Sequence, residues 1–219
     1  RMTANTQKLL RNAAQRFPVA VISGRSLSDV RKKVGLPISY AGSHGLETHI
    51  LGARFKIRVN IPQTTKSIFQ QARLSLRRVV RKYAGVRIED KRLCYAVHYR
   101  ALSSVEARLF VEEAKEAVDT YIHLGGIRVL NNLYTFDIMY DLKHTKGHAV
   151  RELGRALRRT SSAIPIYVGD SATDEDAFRT LAEGITIRVG KNGASAAQYY
   201  FKSRTGVDSF IRNIAYVKI

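Results

Sequence analysis

The sequence predicts an α/β fold on a parallel sheet, interrupted by a smaller α+β module. Residues 17–22 and 164–168 are short apolar runs. Each ends in small, polar or acidic residues and leads into an amphipathic helix, the βαβ grammar of a parallel sheet. Between residues 51 and 141 the grammar changes to alternating strands and two long helices. The expected division is a core of 1–50 with 142–219, and an inserted module of 51–141.

The elements follow in order. Leu9, Leu10, Ala13 and Ala14 share one face of a first helix. The strand at 17–22 breaks at Ser23-Gly24-Arg25-Ser26. Ser26 or Ser28 can start a helix carrying Leu27, Val30 and Val34, which Gly35 and Pro37 stop. A third apolar run at 38–41 opens into Gly42-Ser43-His44-Gly45-Leu46-Glu47. Residues 54–59 alternate as a half-exposed strand should. A long helix at 65–83 turns Phe69, Ala72, Leu76 and Val80 inward and sets Arg73, Arg77 and Arg81 on its outer side. Strands at 86–89 and 93–99, a Glu-rich helix at 105–121 and a hairpin at 125–140 with Asn131-Asn132 near its turn complete the module. The α/β grammar returns at Thr145-Lys146-Gly147 with a helix over 148–159, the strand at 164–168 and a further strand at 185–189.

The bulk numbers narrow the function classes. A hydrophobic share of 45% supports a packed core, and no apolar run reaches membrane-spanning length. The expectation is a soluble, cytoplasmic protein, or an organellar one if a presequence was removed ahead of Arg1. Cys94 is the single cysteine, which excludes an internal disulfide framework. Lys and Arg number 37 against 18 Asp and Glu, so the net charge is +19. Such an excess attracts nucleic acid, an anionic membrane surface or phosphorylated substrates without choosing among them. Any nucleic-acid binding should be non-specific and backbone-directed, with the 73/77/81 ridge, Arg78 and Lys82 as the candidate face.

The most informative stretch is 164–178, Ile-Pro-Ile-Tyr-Val-Gly-Asp-Ser-Ala-Thr-Asp-Glu-Asp-Ala-Phe. Asp170 and Asp174 sit four apart across a strand-to-helix turn, at the strand end where α/β folds place their ligands. Two carboxylates at one point suit a hard cation such as Mg²⁺. The same residues would serve as a strand end and an acidic helix start favourable to the macrodipole.

In order, the loop residues are Ser23-Gly24-Arg25, a distant Lys146, and Gly-Asp-x-x-x-Asp at Asp170 and Asp174. This set resembles motifs two, three and four of haloacid dehalogenase-type phosphatases. With 40–47 (Tyr-Ala-Gly-Ser-His-Gly-Leu-Glu) and 88–100 (Ile-Glu-Asp-Lys through Val-His-Tyr-Arg), the chain is similar to trehalose-6-phosphate phosphatases over nearly its whole length. The resemblance implies a Rossmann-like haloacid dehalogenase core with an inserted α+β cap domain, Mg²⁺, and hydrolysis of trehalose 6-phosphate through an aspartyl-phosphate. It implies that Ser23, with Gly24 and Arg25, holds the phosphoryl group and that Lys146 offsets its charge. Asp170 would ligate the metal with Asp174 in support. Ser43, His44, Gly45, Glu47, Glu89, Lys91 and Asp137 would contact the sugar phosphate. His98, on an apolar strand, reads as a core histidine.

Three departures from the family pattern stand out. The first motif, Asp-x-Asp-Gly-Thr, which holds the nucleophile, is absent, and the resemblance places it upstream of Arg1. The family's Glu-x-Arg-Pro is replaced by Asp137-Ile138-Met139-Tyr140, and the aspartate usual after Gly-Asp is Ser171. Two other readings therefore stand beside the first: a phosphatase-fold protein turned basic RNA-binding scaffold, and a phosphatase for another sugar phosphate.

Overall fold

The structure, a computed structural model, describes residues 2–53, 57–58, 60–91, 93–141, 145–158 and 163–216. Its contacts divide the chain into two units, Arg1–Arg58 with His144–Ile219, and Val59–Lys143.

The first unit begins with α1 (Ala4–Ala14), whose start is capped by the Thr3 hydroxyl. The strand β1 (Ala20–Ile22) follows, then α2 (Leu27–Val34), capped by Ser26 and closed by Gly35 in the left-handed conformation. Next come β2 (Ser39–Gly42), β3 (Glu47–His49) and β4 (Ile57–Arg58). The sheet order is β1-β2-β3-β4, with β1 parallel to β2 and the others antiparallel. Of the strand expected at 54–59, only Ile57–Arg58 lies within the described residues. Beneath β2, a core of Leu27, Val30, Val34, Leu36, Ile38 and Tyr40 forms from the inner face of α2.

The second unit holds α3 (Gln63–Val80), β5 (Arg87–Asp90), β6 (Cys94–His98), α4 (Ser104–His123), β7 (Ile127–Asn132) and β8 (Thr135–Tyr140). Its antiparallel sheet runs β5-β6-β8-β7. The hairpin turns at Leu133-Tyr134, just past the Asn131-Asn132 pair, with Tyr134 at φ +61°. Phe69 stacks on Tyr140 with ring centres 4.3 Å apart, and Phe110 lies between Tyr83 and Phe136. The helix α3 corrects the expected ridge. Arg73 pairs with Asp90 and lies over Tyr95, and Arg77 donates to the Tyr95 hydroxyl at 2.8 Å. These arginines buttress the sheet because Tyr95, facing the helices, presents a ring face and a hydroxyl that guanidinium groups satisfy.

The first unit resumes with α5 (Lys146–Leu157), β9 (Ile166–Gly169), α6 (Glu175–Thr180), β10 (Ile185–Val189), β11 (Tyr199–Phe201) and α7 (Arg204–Tyr216). These strands form a second, wholly parallel sheet of order β11-β10-β9. Among the described residues, β1 and β9 are each bonded along one edge only, and both apolar strands are only partly buried. The helix α5 packs on the first sheet, where Ala149 and Leu153 join Ala41, Ala20 and Ile22, while its first turn lies on α6. Parallel to α1, α7 is pinned by Thr6 to Asp208 at 2.9 Å and Asn12 to Tyr216 at 3.0 Å.

Candidate active site

At the end of β9 the chain folds around a single carboxylate. Asp174 is 3% exposed. Its Oδ2 accepts the N–H groups of Asp170 (3.0 Å) and Ser171 (2.8 Å) and the Ser171 hydroxyl (2.6 Å). Its Oδ1 accepts the Tyr167 hydroxyl at 2.6 Å and Lys146 Nζ at 2.8 Å. Burial alone would raise its pKa, but Lys146 and the hydrogen bonds from Lys146, Ser171 and Tyr167 outweigh that and hold it at about 2. Burial and the adjacent Asp174 push the Tyr167 phenol upward, so it stays a donor. Gly169 permits this fold: a Cβ there would come within 2.5 Å of the Asp174 carboxyl carbon. Read from the sequence as metal support, Asp174 here spends both oxygens on protein donors. Asp170, by contrast, has an exposed side chain.

Lys146 reaches this point from the first turn of α5, which Thr145 caps. Only 8% exposed, it also donates to Ser171 Oγ at 3.2 Å. Two of its three N–H groups are thus accounted for among the described contacts. Gly147 lets α5 sit this close to α6, since a Cβ would meet Thr180 Oγ1 at 2.3 Å and the Asp176 carbonyl at 2.7 Å. On the far side of the turn, Arg188 joins Glu175 at 2.6 Å and donates to the Asp170 carbonyl at 3.4 Å, while Glu175 also accepts Ser195 Oγ and the Ala196 N–H. Sequence reading missed Tyr167, Glu175 and Arg188. The one available signal was a tyrosine and an arginine inside otherwise aliphatic strands.

At the end of β1, Ser23 donates its N–H to the Ala41 carbonyl at 2.9 Å, and its Oγ accepts the Arg25 N–H at 3.2 Å. The Arg25 side chain pairs with Asp29 at 2.9 Å, one helical turn on. The turn at 43–47 lies against this loop. Ser43 N–H donates to the Arg25 carbonyl at 2.6 Å and His44 N–H to the Ser23 carbonyl at 3.1 Å. Glu47 Oε2 accepts the Leu27 N–H and the Ser43 hydroxyl, both at 3.4 Å.

In the second unit, cross-strand register places Glu89, Ala96 and Asp137 in one row across β5, β6 and β8, so all three point to one face. Glu89 Oε2 lies 3.0 Å from His98 Nε2 and 3.4 Å from Lys91 Nζ. Partial burial pushes the Glu89 carboxyl up, but these two partners hold it below its usual range. His98 is therefore a partner of Glu89 rather than a core histidine. Burial raises the Asp137 pKa against the pull of Lys91 and His98, and its Oδ1 has no hydrogen-bond partner among the described residues. Glu89, His98, Arg87, Arg100 and Tyr134 line an open pocket of about 550 Å³.

Comparison with known proteins matches the chain as a whole. A family model described as trehalose-phosphatase matches residues 1–204. The trehalose-phosphate phosphatase of Mycobacterium marinum is 34% identical over 227 residues, covering 97% of this chain and 55% of that protein. The chain thus spans about half the length of the curated relatives it matches. The C-terminal domain of trehalose-6-phosphate phosphatase from C. albicans superposes with a TM-score of 0.82 at 17% identity, covering 99% of this chain and 84% of that one. A haloacid dehalogenase-like hydrolase from B. subtilis superposes at 0.58 with 14% identity, covering 96% and 92%. The fold is haloacid dehalogenase-like, and the chain belongs to the trehalose-phosphatase family.

Proposed function

We propose that this chain carries most of the machinery of a phosphatase that hydrolyses trehalose 6-phosphate. The observation that carries the reading is the Lys146–Asp174–Ser171 assembly at the carboxyl end of β9, where a buried ammonium is fixed beside the exposed Asp170. Lys146 offsets charge on the phosphoryl oxygens, and the Ser23 hydroxyl hydrogen-bonds one of them. Asp174 is a positioning residue that holds Lys146 and the Asp170 turn.

Asp170 suits Mg²⁺, which binds through one or two carboxylates together with substrate phosphate and water. Asp170 would be this chain's ligand to the ion; among the described residues no three His, Cys, Asp or Glu side chains gather to hold a metal. When bound, the ion would neutralise charge on the phosphoryl group.

The nucleophile is assigned to chain preceding Arg1. A carboxylate from that chain attacks phosphorus as the phosphorus–sugar oxygen bond breaks, a second, protonated carboxyl of the same motif gives the leaving sugar oxygen its proton, and that carboxylate then takes a proton from the water that cleaves the aspartyl-phosphate. Among the described residues β1 and β9 are each bonded along one edge only, which supports this: either free edge can take a further parallel strand. In the second unit, Glu89 and Lys91 hydrogen-bond sugar hydroxyls. Joining this chain to an upstream segment bearing Asp-x-Asp-Gly-Thr should yield Mg²⁺-dependent phosphate release from trehalose 6-phosphate. Asp170→Asn and Lys146→Met should each abolish it, and an inactive joined protein refutes the reading.

A second reading, a different sugar phosphate, is favoured by the buried Asp137 standing where the family has Glu-x-Arg-Pro. A panel of sugar phosphates on the joined protein separates the two. The scaffold reading loses ground because Arg73 and Arg77 are engaged by Tyr95 and Asp90. Non-specific RNA contact would then rest on Arg78 and Arg81, with the exposed Lys82 bridged to Glu113. As for membranes, no described helix is long and apolar enough to cross one.

A further inference from the structure

Three consecutive residues in one turn hold positive φ: Ser43 (+49°), His44 (+57°) and Gly45 (+102°). Two of them are not glycine, and such backbone persists only where its surroundings over-determine it. Those surroundings are the two phosphate-handling loops. Toward β1, the turn gives its Ser43 and His44 N–H groups to the carbonyls of Arg25 and Ser23, and the Nε2–Cε1 side of the His44 ring lies against Gly24. A Cβ on Gly24 would fall 2.5 Å from His44 Nε2. At the other end, Gly45 is pressed on the start of α5. A Cβ there would sit 2.9 Å from the Thr145 carbonyl and 3.0 Å from Ala149 Cβ. Thr145 immediately precedes Lys146.

We propose that the Ser43-His44-Gly45 turn is a brace that sets the Ser23 loop in register with Lys146, with His44 a positioning residue for Ser23. This rests on the reading of Ser23 and Lys146 as phosphoryl-holding groups. A positioning role explains why the turn accepts strained backbone: a left-handed residue turns two successive N–H groups toward one neighbouring loop, which extended backbone cannot do. Glu47 closes the brace from below by accepting the Leu27 N–H at the start of α2.

The test uses two variants. His44→Asn keeps a residue that tolerates left-handed backbone but removes the ring from Gly24, and His44→Ala loses both. In this chain, amide hydrogen exchange at Ser43 and Arg25, whose N–H groups donate to the Arg25 carbonyl and to Ser23 Oγ, is expected to be about tenfold faster in His44→Asn, with β10 amides unchanged. No change at Ser43 and Arg25 in that variant, or acceleration everywhere alike, overturns the brace. In the chain joined to its nucleophile segment, His44→Asn is expected to lower kcat about tenfold with KM within about twofold, and His44→Ala to lower it further. A raised KM at unchanged kcat would make His44 a sugar ligand and overturn the proposal. If the joined wild-type protein releases no phosphate, the proposed function fails while the exchange comparison still decides the brace.

Discussion

Lys146 Nζ and Asp174 Oδ1 lie 2.8 Å apart with both side chains almost wholly out of water. The pair is unequal. Among the described residues Asp174 has four further donors, whereas Lys146 has one further acceptor, Ser171 Oγ. Removing the carboxylate strands a buried ammonium and frees two backbone N–H groups. Asp174→Ala should cost about 3–5 kcal/mol, the range for breaking a buried pair. Lys146→Met should cost less, because the remaining donors still satisfy Asp174. Urea unfolding midpoints of the two variants check the order.

The same carboxylate gives a pH dependence of known sign. Its pKa falls from 3.8 to about 2 on folding. The stabilisation is therefore fully present above the unfolded value and is lost as pH falls through the folded one. Between pH 5 and pH 2 the wild-type chain should lose about 2 kcal/mol that Asp174→Asn does not lose. Parallel unfolding curves for the two proteins across that window would contradict this.

Two glycines on α5 should respond oppositely. Gly147→Ala forces a methyl onto the Asp176 carbonyl and should destabilise by about 1–3 kcal/mol, as overpacking does. Gly154→Ala meets nothing within 4 Å and should stabilise by up to about 1 kcal/mol through helix propensity. Thermal melts of the pair provide the comparison.

On α3, charge reversal separates buttress from surface. Arg73→Glu should lower the melting temperature by several degrees, because it faces Asp90 and Tyr95. Arg78→Glu and Arg81→Glu, on exposed positions, should stay within about 0.5 kcal/mol of wild type. If nucleic acid binds, the latter two should weaken it and steepen nothing in the melt.

Burial pushes the Cys94 thiol up to about 12, with the Asp137 charge adding to the shift. The native chain should react with a disulfide reagent at pH 8 at least tenfold more slowly than the urea-unfolded chain, on the order expected for a buried thiol. Equal rates would mean that β6 opens readily.

Much of this was legible in the sequence because periodicity and punctuation survive folding. The strand ahead of Gly169, the Ser26-capped helix and the switch to alternating strands are local signals. The destination of each polar group was not legible. Asp174 reads as a metal ligand from its spacing, and only the packing of α5 on α6 shows Lys146, Tyr167 and Ser171 converging on it. Arg73 and Arg77 read as a solvated stripe because helical spacing says nothing of Tyr95 on a neighbouring strand. The left-handed Ser43 and His44 carry no propensity signal, since tertiary contacts impose that backbone.

Helix α5 is the joint between the sheet that leads to Ser23 and the turn and helix α6 that follow Asp170. Residues 20–42 and 166–201 meet through it, so the loop it closes contains the whole of the second unit. Loop-closure entropy grows only logarithmically with length. An insert much larger or smaller than Val59–Lys143 would therefore change the cost of that closure by little. The joint makes the second unit a replaceable part: its sequence can drift, or its Glu89-Ala96-Asp137 row be rebuilt, while the Lys146–Asp174 assembly stays as it is.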